Sequence, residues 1–179
     1  MAGGRIPRKL NEAELWEYAL RVLSRRAHSA GELRQKLAAR AEIRSDVDAA
    51  MAKLREYGFA DDVKFSEAFA GSRLRNRGFG PSRVLHELRA KRIPAAVAAD
   101  AVEKAFDGAD EVQLAHSFLE RKYRGKDLKA FLREEKNLAA AYRRLRTGGF
   151  SSATALTVLK RYSRQAGEWD GSGEDRGPE

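Results

Sequence analysis

Apolar residues along this chain recur at three- and four-residue spacing, the period of a helix with one buried face, and nowhere gather into the alternating runs of a strand. Leu15, Ala19, Val22 and Leu23 mark a first helix from about Asn11 to Arg26. Ser29-Ala-Gly-Glu32 has the form of a capping box and opens a short helix with Leu33 and Leu37 inward. A third helix, capped by Ser45, carries Val47, Ala50, Met51 and Leu54. Asp61-Asp62 then place negative charge at the start of a fourth, whose inner face is Phe65, Ala68, Phe69 and Leu74. Pro81 and Pro94 stand at first-turn positions, where a missing N–H donor is harmless, and open helices with Val84, Leu85 and Leu88, and with Val97, Ala101, Val102 and Phe106. From Asp110 the face is Val112, Ala115, Phe118 and Leu119. A longer helix from about Asp127 to Thr147 and a last one from Ser151 to Tyr162 complete the pattern.

The stops are as regular as the starts. Leu-Arg-x-x-Gly-Phe occurs at Leu54 to Phe59, Leu74 to Phe79 and Leu145 to Phe150. Gly in each copy suits the left-handed position just past a helix, with Phe folding back toward the Leu five positions earlier. Leu33 and Leu37 correspond to Val84 and Leu88 at an offset of 51 residues, as in diverged repeats. The expected fold is all-α: three tandem three-helix repeats over 11–60, 61–109 and 110–163, after a flexible basic start at 1–10. Units of this size bury little surface alone, so neighbours are expected to stack into an elongated array. Residues 164–179, polar and glycine-rich, read as a disordered acidic tail.

Charge sharpens this picture. Residues 1–163 hold 33 Lys and Arg against 21 Asp and Glu, and 164–179 hold 2 against 5. A folded part near +12 attracts anionic partners, nucleic acid or an acidic protein surface. Cysteine is absent, which excludes disulfides and thiolate chemistry. No apolar run has membrane-spanning length and Met1 to Lys9 lacks a signal-peptide core, so a cytoplasmic protein is expected.

Material for catalysis is poor. His28, His86 and His116 lie in different repeats without metal-ligand spacing, and read as surface or boundary histidines. Asp61-Asp62 is explained by helix capping, and Gly78-Phe79-Gly80 lacks the strand and the Lys-Ser or Lys-Thr of a phosphate loop. The expectation is no enzyme, no metal and no cofactor.

The basic residues cluster instead. Between Ser72 and Arg92 seven cations face one acid, Glu87, and include Arg73, Arg75, Arg77, Lys91 and Arg92. Arg73 and Arg77, four apart, share a helix face. Arg121, Lys122 and Arg124, with Lys126 and Lys129, form a second cluster, and Arg143, Arg144 and Arg146 a third. Arg25 and Arg26 stand at the end of the first helix. Stacked repeats would join such clusters into a track for phosphates or carboxylates. Phe65, Phe69, Phe106 and Phe118 sit at core spacing rather than on a base-stacking platform. The alternative is a helix-turn-helix DNA reader using Glu32 to Arg40 or Pro81 to Arg92, whose side chains, Gln35 and the arginines apart, are ill suited to base edges.

Ala19-Leu-Arg-Val-Leu-Ser-Arg-Arg-Ala-His-Ser29 leading to Glu32-Leu33 and Lys36-Leu37, then Leu54-Arg-Glu-Tyr-Gly-Phe-Ala-Asp-Asp62 with Phe65, then Arg77-Gly-Phe-Gly-Pro81, resemble the RecX family, regulators of the bacterial recombinase RecA, over about residues 13–163. The resemblance implies an elongated, curved molecule of three tandem three-helix repeats. It further implies a monomer that binds the RecA filament on single-stranded DNA in its groove, restraining growth, ATP hydrolysis, strand exchange and coprotease activity in recombinational repair and the SOS response. Direct contact with single- or double-stranded DNA would use phosphates, and no membrane is involved. These clustered arginines and lysines are then the candidate contacts. Where the family commonly has Lys-Gly after the second helix of a repeat, this chain has Arg40-Ala41 and Lys91-Arg92. Arg92 in a left-handed conformation would cost about 1 kcal/mol relative to Gly, so these two turns are expected to differ in geometry.

Overall fold

A computed structural model describes residues 8–162. Among them the chain forms α1 Glu12–Leu23, α2 Ala30–Arg40, α3 Arg44–Glu56, α4 Asp62–Ser72, α5 Pro81–Ala90, α6 Ala95–Phe106, α7 Glu111–Lys122, α8 Leu128–Phe131, α9 Glu135–Gly148 and α10 Ser152–Lys160, with a π-helical turn at Arg73–Arg77. The fold is all-α. The acidic tail expected at 164–179 lies outside the described residues, as do 1–7 of the expected flexible start. That start ends earlier than expected, because Leu10 is buried and tied down: its N–H donates to the Arg40 carbonyl at 2.8 Å and its own carbonyl accepts from Glu42 N–H at 2.9 Å.

Side chains written at helix starts perform the caps. Asn11 and Glu14 form a reciprocal capping box on α1, and Ser29 and Glu32 do the same on α2. Asp110, Asp127 and Ser151 accept first-turn N–H groups of α7, α8 and α10. Ser45 is no cap. It lies inside α3, whose N-cap is Ile43 with no side-chain bond. The long helix expected from Asp127 to Thr147 is broken into α8 and α9. Asn137 Nδ2 donates to the Phe131 carbonyl and to Glu134 Oε2, both at 3.0 Å, and so satisfies the end of α8 while Leu132 turns fully into the core.

The described residues divide into two compact units. One combines the chain up to Phe69 with Glu87–Ala101, the other Ala70–His86 with the chain from Val102 onward. In the first, α1, α2 and α3 pack mutually around Leu15, Leu33, Leu37, Met51 and Leu54, each at most 1% exposed. In the second, α7, α9 and α10 do so around Leu119, Leu132, Leu145, Phe150 and Leu159. Each of α4, α5 and α6 supplies residues to both units. On α4 the outcome departs from the pattern: Ala68 is exposed, Phe65 and Phe69 are half-buried, and Ser66 and Ala70 take the innermost places.

Three helix stops are as drawn in the sequence, with differences. Phe59 and Phe150 N–H groups reach back to the carbonyls of Leu54 and Leu145 at 2.8 and 3.2 Å, past left-handed Gly58 (φ 70°) and Gly149 (φ 94°). Gly78 (φ 54°) closes the π-helical turn instead, its own N–H bonding Leu74 O at 3.1 Å. A fourth stop of this kind is written Leu88-Arg-Ala-Lys-Arg92-Ile93. Ile93 N–H bonds Leu88 O at 3.3 Å, and Arg92, at φ 64°, is the one non-glycine residue with positive φ among the described residues. Its counterpart 51 residues earlier, Ala41, is extended (φ −64°, ψ 140°). Contrary to expectation, Arg92 thus takes the left-handed conformation despite its cost, and only the turn at Ala41 departs from it.

Candidate functional site

In the first unit one carboxylate organises the candidate cations. Glu32, already the partner of Ser29 in the α2 capping box, lies 3.4 Å from Arg26 and 3.2 Å from Lys91. Partial burial alone would raise its pKa, but hydrogen bonds from Arg26, Lys91 and the Ser29 N–H hold it below the ordinary carboxylate value. The Ser29 hydroxyl donates to the Lys91 carbonyl, and Asp62 accepts the Ala30 N–H at 2.8 Å, so the α5–α6 turn and the start of α4 both dock on the N-terminus of α2. Lys91 Nζ also stands over the stacked rings of Phe65 and Phe69, 5.9 and 5.5 Å from their centroids. Arg92 donates from Nε to Gln35 at 3.1 Å, which occupies the one α2 amide suited to reading a base edge.

In the second unit several candidate arginines have structural partners. Arg121 donates to the Arg77 carbonyl at 3.0 Å and covers Gly78, where a Cβ would fall 1.9 Å from its Nη2. This joins the first two sequence clusters. Arg144 lies over the Tyr123 ring at 5.3 Å and brings the third alongside the second. Arg146 donates to the Phe150 carbonyl at 2.8 Å, and Lys122 stands 5.6 Å from the Phe118 ring centroid. Among the described residues Arg25, Arg75, Arg77, Arg124 and Arg143 are exposed, and none has a carboxylate at ion-pair distance. Exposed cations without partners are ready for an incoming anion, because no internal ion pair has to break first. Arg73 is half-buried and has internal partners.

His28 does not fit its expected place at the surface. It is buried at 6% exposure, and its Nδ1, 3.4 Å from Glu32, has no hydrogen bond. Burial, with the charges of Arg26 and Lys36, pushes its pKa below the ordinary histidine value against the pull of Glu32. His116 bonds the Tyr162 hydroxyl at 2.5 Å. Among the described residues no three His, Asp or Glu side chains converge as a metal would require, and no helix is long and apolar enough to cross a membrane.

Sequence spacing missed two surfaces. Tyr57 and Phe59, 60% and 46% exposed, stack nearly parallel beside Trp16, whose ring carries Lys53 Nζ at 4.5 Å. The helix stop explained Phe59 as a fold-back residue, and its backbone does fold back, but its ring joins this cluster. The other surface collects Arg21, Lys36 and Arg40 with Arg25 and Arg26. Its signal was present: Arg21 and Arg25, like Lys36 and Arg40, are four apart.

Helices grouped in threes, tied by capping boxes and glycine stops and carrying unpaired arginines, define a cationic all-helical protein of the three-helix-domain class. Residues 16–54 match the description "RecX, first three-helix domain" and 61–102 match "RecX, second three-helix domain". A regulatory protein RecX from Vibrio vulnificus is 33% identical over 74% of this chain and 82% of its own length, and one from Thermus thermophilus is 33% identical over 87% and 96%. The crystal structure of RecX from Lactobacillus salivarius superposes with a TM-score of 0.67 at 19% identity, over 84% of this chain and 96% of that one. The chain belongs to the RecX family of regulatory proteins.

Proposed function

We propose that this protein is a cytoplasmic, non-enzymatic regulator of RecA. It binds the recombinase filament on single-stranded DNA, in the filament groove, and lowers ATP hydrolysis, strand exchange and coprotease activity. Membership of a family of regulatory proteins over most of the chain carries this proposal, and the exposed arginines without internal partners support it as the means of contact. Several weak charge-assisted contacts on one body combine through high effective concentration, so no single strong pocket is needed. A remote reaction step slows when the bound protein prefers one state of the filament.

The test follows RecA ATP hydrolysis and strand exchange on single-stranded DNA as purified protein is added. Inhibition is expected at substoichiometric to stoichiometric ratios. Activity unchanged at several-fold excess over filament sites refutes the proposal. Arg75→Glu with Arg77→Glu, which breaks no internal ion pair, is expected to weaken inhibition roughly tenfold with helicity intact.

A further inference from the structure

Between the end of α1 and the body of α2 in the first unit lies a cleft of about 560 Å³. Five of its lining side chains are cationic, Arg21, Arg25, Arg26, Lys36 and Arg40, and no carboxylate lines it. Arg21 stands in the last turn of α1, Arg25 and Arg26 in the turn that follows it, and Lys36 and Arg40 four apart on α2. Among the described residues Arg26 alone of the five has an ion-pair partner, Glu32 at 3.4 Å. Arg40 lays its guanidinium over the Tyr18 ring at 5.3 Å, yet its Nε is buried without an acceptor. His28 lines the same cleft, buried and with Nδ1 lacking a hydrogen bond.

A site of this kind has surplus positive charge, a guanidinium laid against an aromatic ring, and room for more than one anionic group. One carboxylate would leave most of the charge unanswered. Linked phosphates would answer it, since guanidinium forks match phosphate oxygens in pairs and the cleft volume is within the range of small-ligand sites, about 300–1,000 Å³. We propose that this cleft is a phosphoryl-binding site that takes two or three linked phosphates, held by Arg21, Arg25, Lys36 and Arg40. Two sources share that chemistry: the polyphosphate of a free nucleotide, and successive phosphates of a nucleic-acid strand. The inference stands apart from recombinase binding, and a protein that leaves RecA unaffected would still possess the site.

The full chain is titrated with inorganic tripolyphosphate by calorimetry, and the three histidine ring resonances are followed by NMR. Binding is expected, with the His28 resonance moving further than those of His86 and His116. Arg25→Ala with Lys36→Ala is expected to lose at least about tenfold in affinity, and Arg21→Gln with Arg25→Gln to do the same should the first pair unfold. Arg124→Ala with Lys129→Ala, in the other unit, should bind as the wild type does. Competition then separates the sources. Displacement of a labelled single-stranded 20-mer by tripolyphosphate supports the site with a strand as its ligand, and ATP binding without such displacement supports it with a nucleotide. No tripolyphosphate binding, an unmoved His28 resonance, or an equal loss in the Arg124/Lys129 variant overturns the proposal.

Discussion

Replacing Gly80 by Ala adds one methyl group and should be among the most damaging single changes in the second unit. Gly80 lies where the chain entering α5 crosses the turn between α9 and α10, backbone against backbone. A Cβ at Gly80 would fall 2.4 Å from the Gly149 oxygen, 2.5 Å from its carbonyl carbon and 2.7 Å from the Phe150 nitrogen, inside the 3.0 Å that real Cβ contacts respect. None of these atoms can rotate away, so the two segments must separate. Separation breaks the bonds from Gly80 N–H to Gly148 O at 2.9 Å and from Ser82 N–H to Gly149 O at 3.2 Å, at a site where all three glycines are buried. Each bond contributes about 1 kcal/mol net, and a buried group left unpaired costs about 1–3 kcal/mol more. Against this, Ala restricts the unfolded chain and returns about 0.4–1 kcal/mol. The net loss is about 3 kcal/mol, which for a chain of this length lowers Tm by roughly 6–12 °C. Thermal unfolding followed by circular dichroism measures it, with Gly108→Ala beside it. Gly108 has a positive φ of 68° but nothing within 4 Å of an added Cβ, so its cost is confined to strain, about 1 kcal/mol. A Gly80→Ala protein no less stable than the Gly108→Ala protein would refute the reasoning.

Arg92→Gly relieves about 1 kcal/mol of left-handed strain and forfeits one exposed bond to Gln35, worth about 0.5 kcal/mol, so Tm should hold or rise slightly; a clear fall would show that the Arg92 side chain stabilises its turn more than its backbone costs. Asp62→Ala removes the acceptor of the Ala30 N–H at the head of α2 and should cost about 1 kcal/mol by chemical denaturation, as a lost cap does. His28 has a pKa lowered from 6.5 in the folded state, so the unfolded chain binds more protons and stability falls as pH drops below 6.5. Arg26, Lys36 and Glu32 face this histidine, and His28→Asn should flatten the slope just below pH 6.5. Loss below pH 4.5, where the lowered Glu32 carboxyl is finally protonated, should persist in that variant. Denaturant midpoints measured across pH separate the two.

Local rules made the helices legible. A capping side chain and its N–H lie within three residues, which is why the Ser29–Glu32 box could be placed from sequence, and buried faces such as Val47, Ala50, Met51 and Leu54 follow from period alone. The failures involve contacts remote in sequence or competition between near neighbours. Asn137 breaking the long helix depends on one amide choosing a carbonyl six residues back. Ser66 entering the interior in place of Ala68 depends on what packs against α4. Of the candidate cations, composition identified the clusters but not their occupations: Arg121 and Arg146 bond carbonyls, and Arg25 and Arg124 remain available. The cleft joining Arg21 to Lys36 and Arg40 required two helices to be set side by side, which no single-helix pattern contains.

The interleaving of the units has a consequence for synthesis. Residues 70–86 belong to the second unit, but the glycine turn that Gly80 packs against lies 68 residues further along the chain. At about 5–20 residues per second the ribosome takes roughly 3–14 s to deliver it. During that interval the first unit can receive its last piece, Glu87–Ala101, while the segment on either side of Gly80 has emerged without its packing partner. Vectorial folding of this chain therefore cannot proceed module by module. Its second unit is completed only when the turn between α9 and α10 meets a segment made long before.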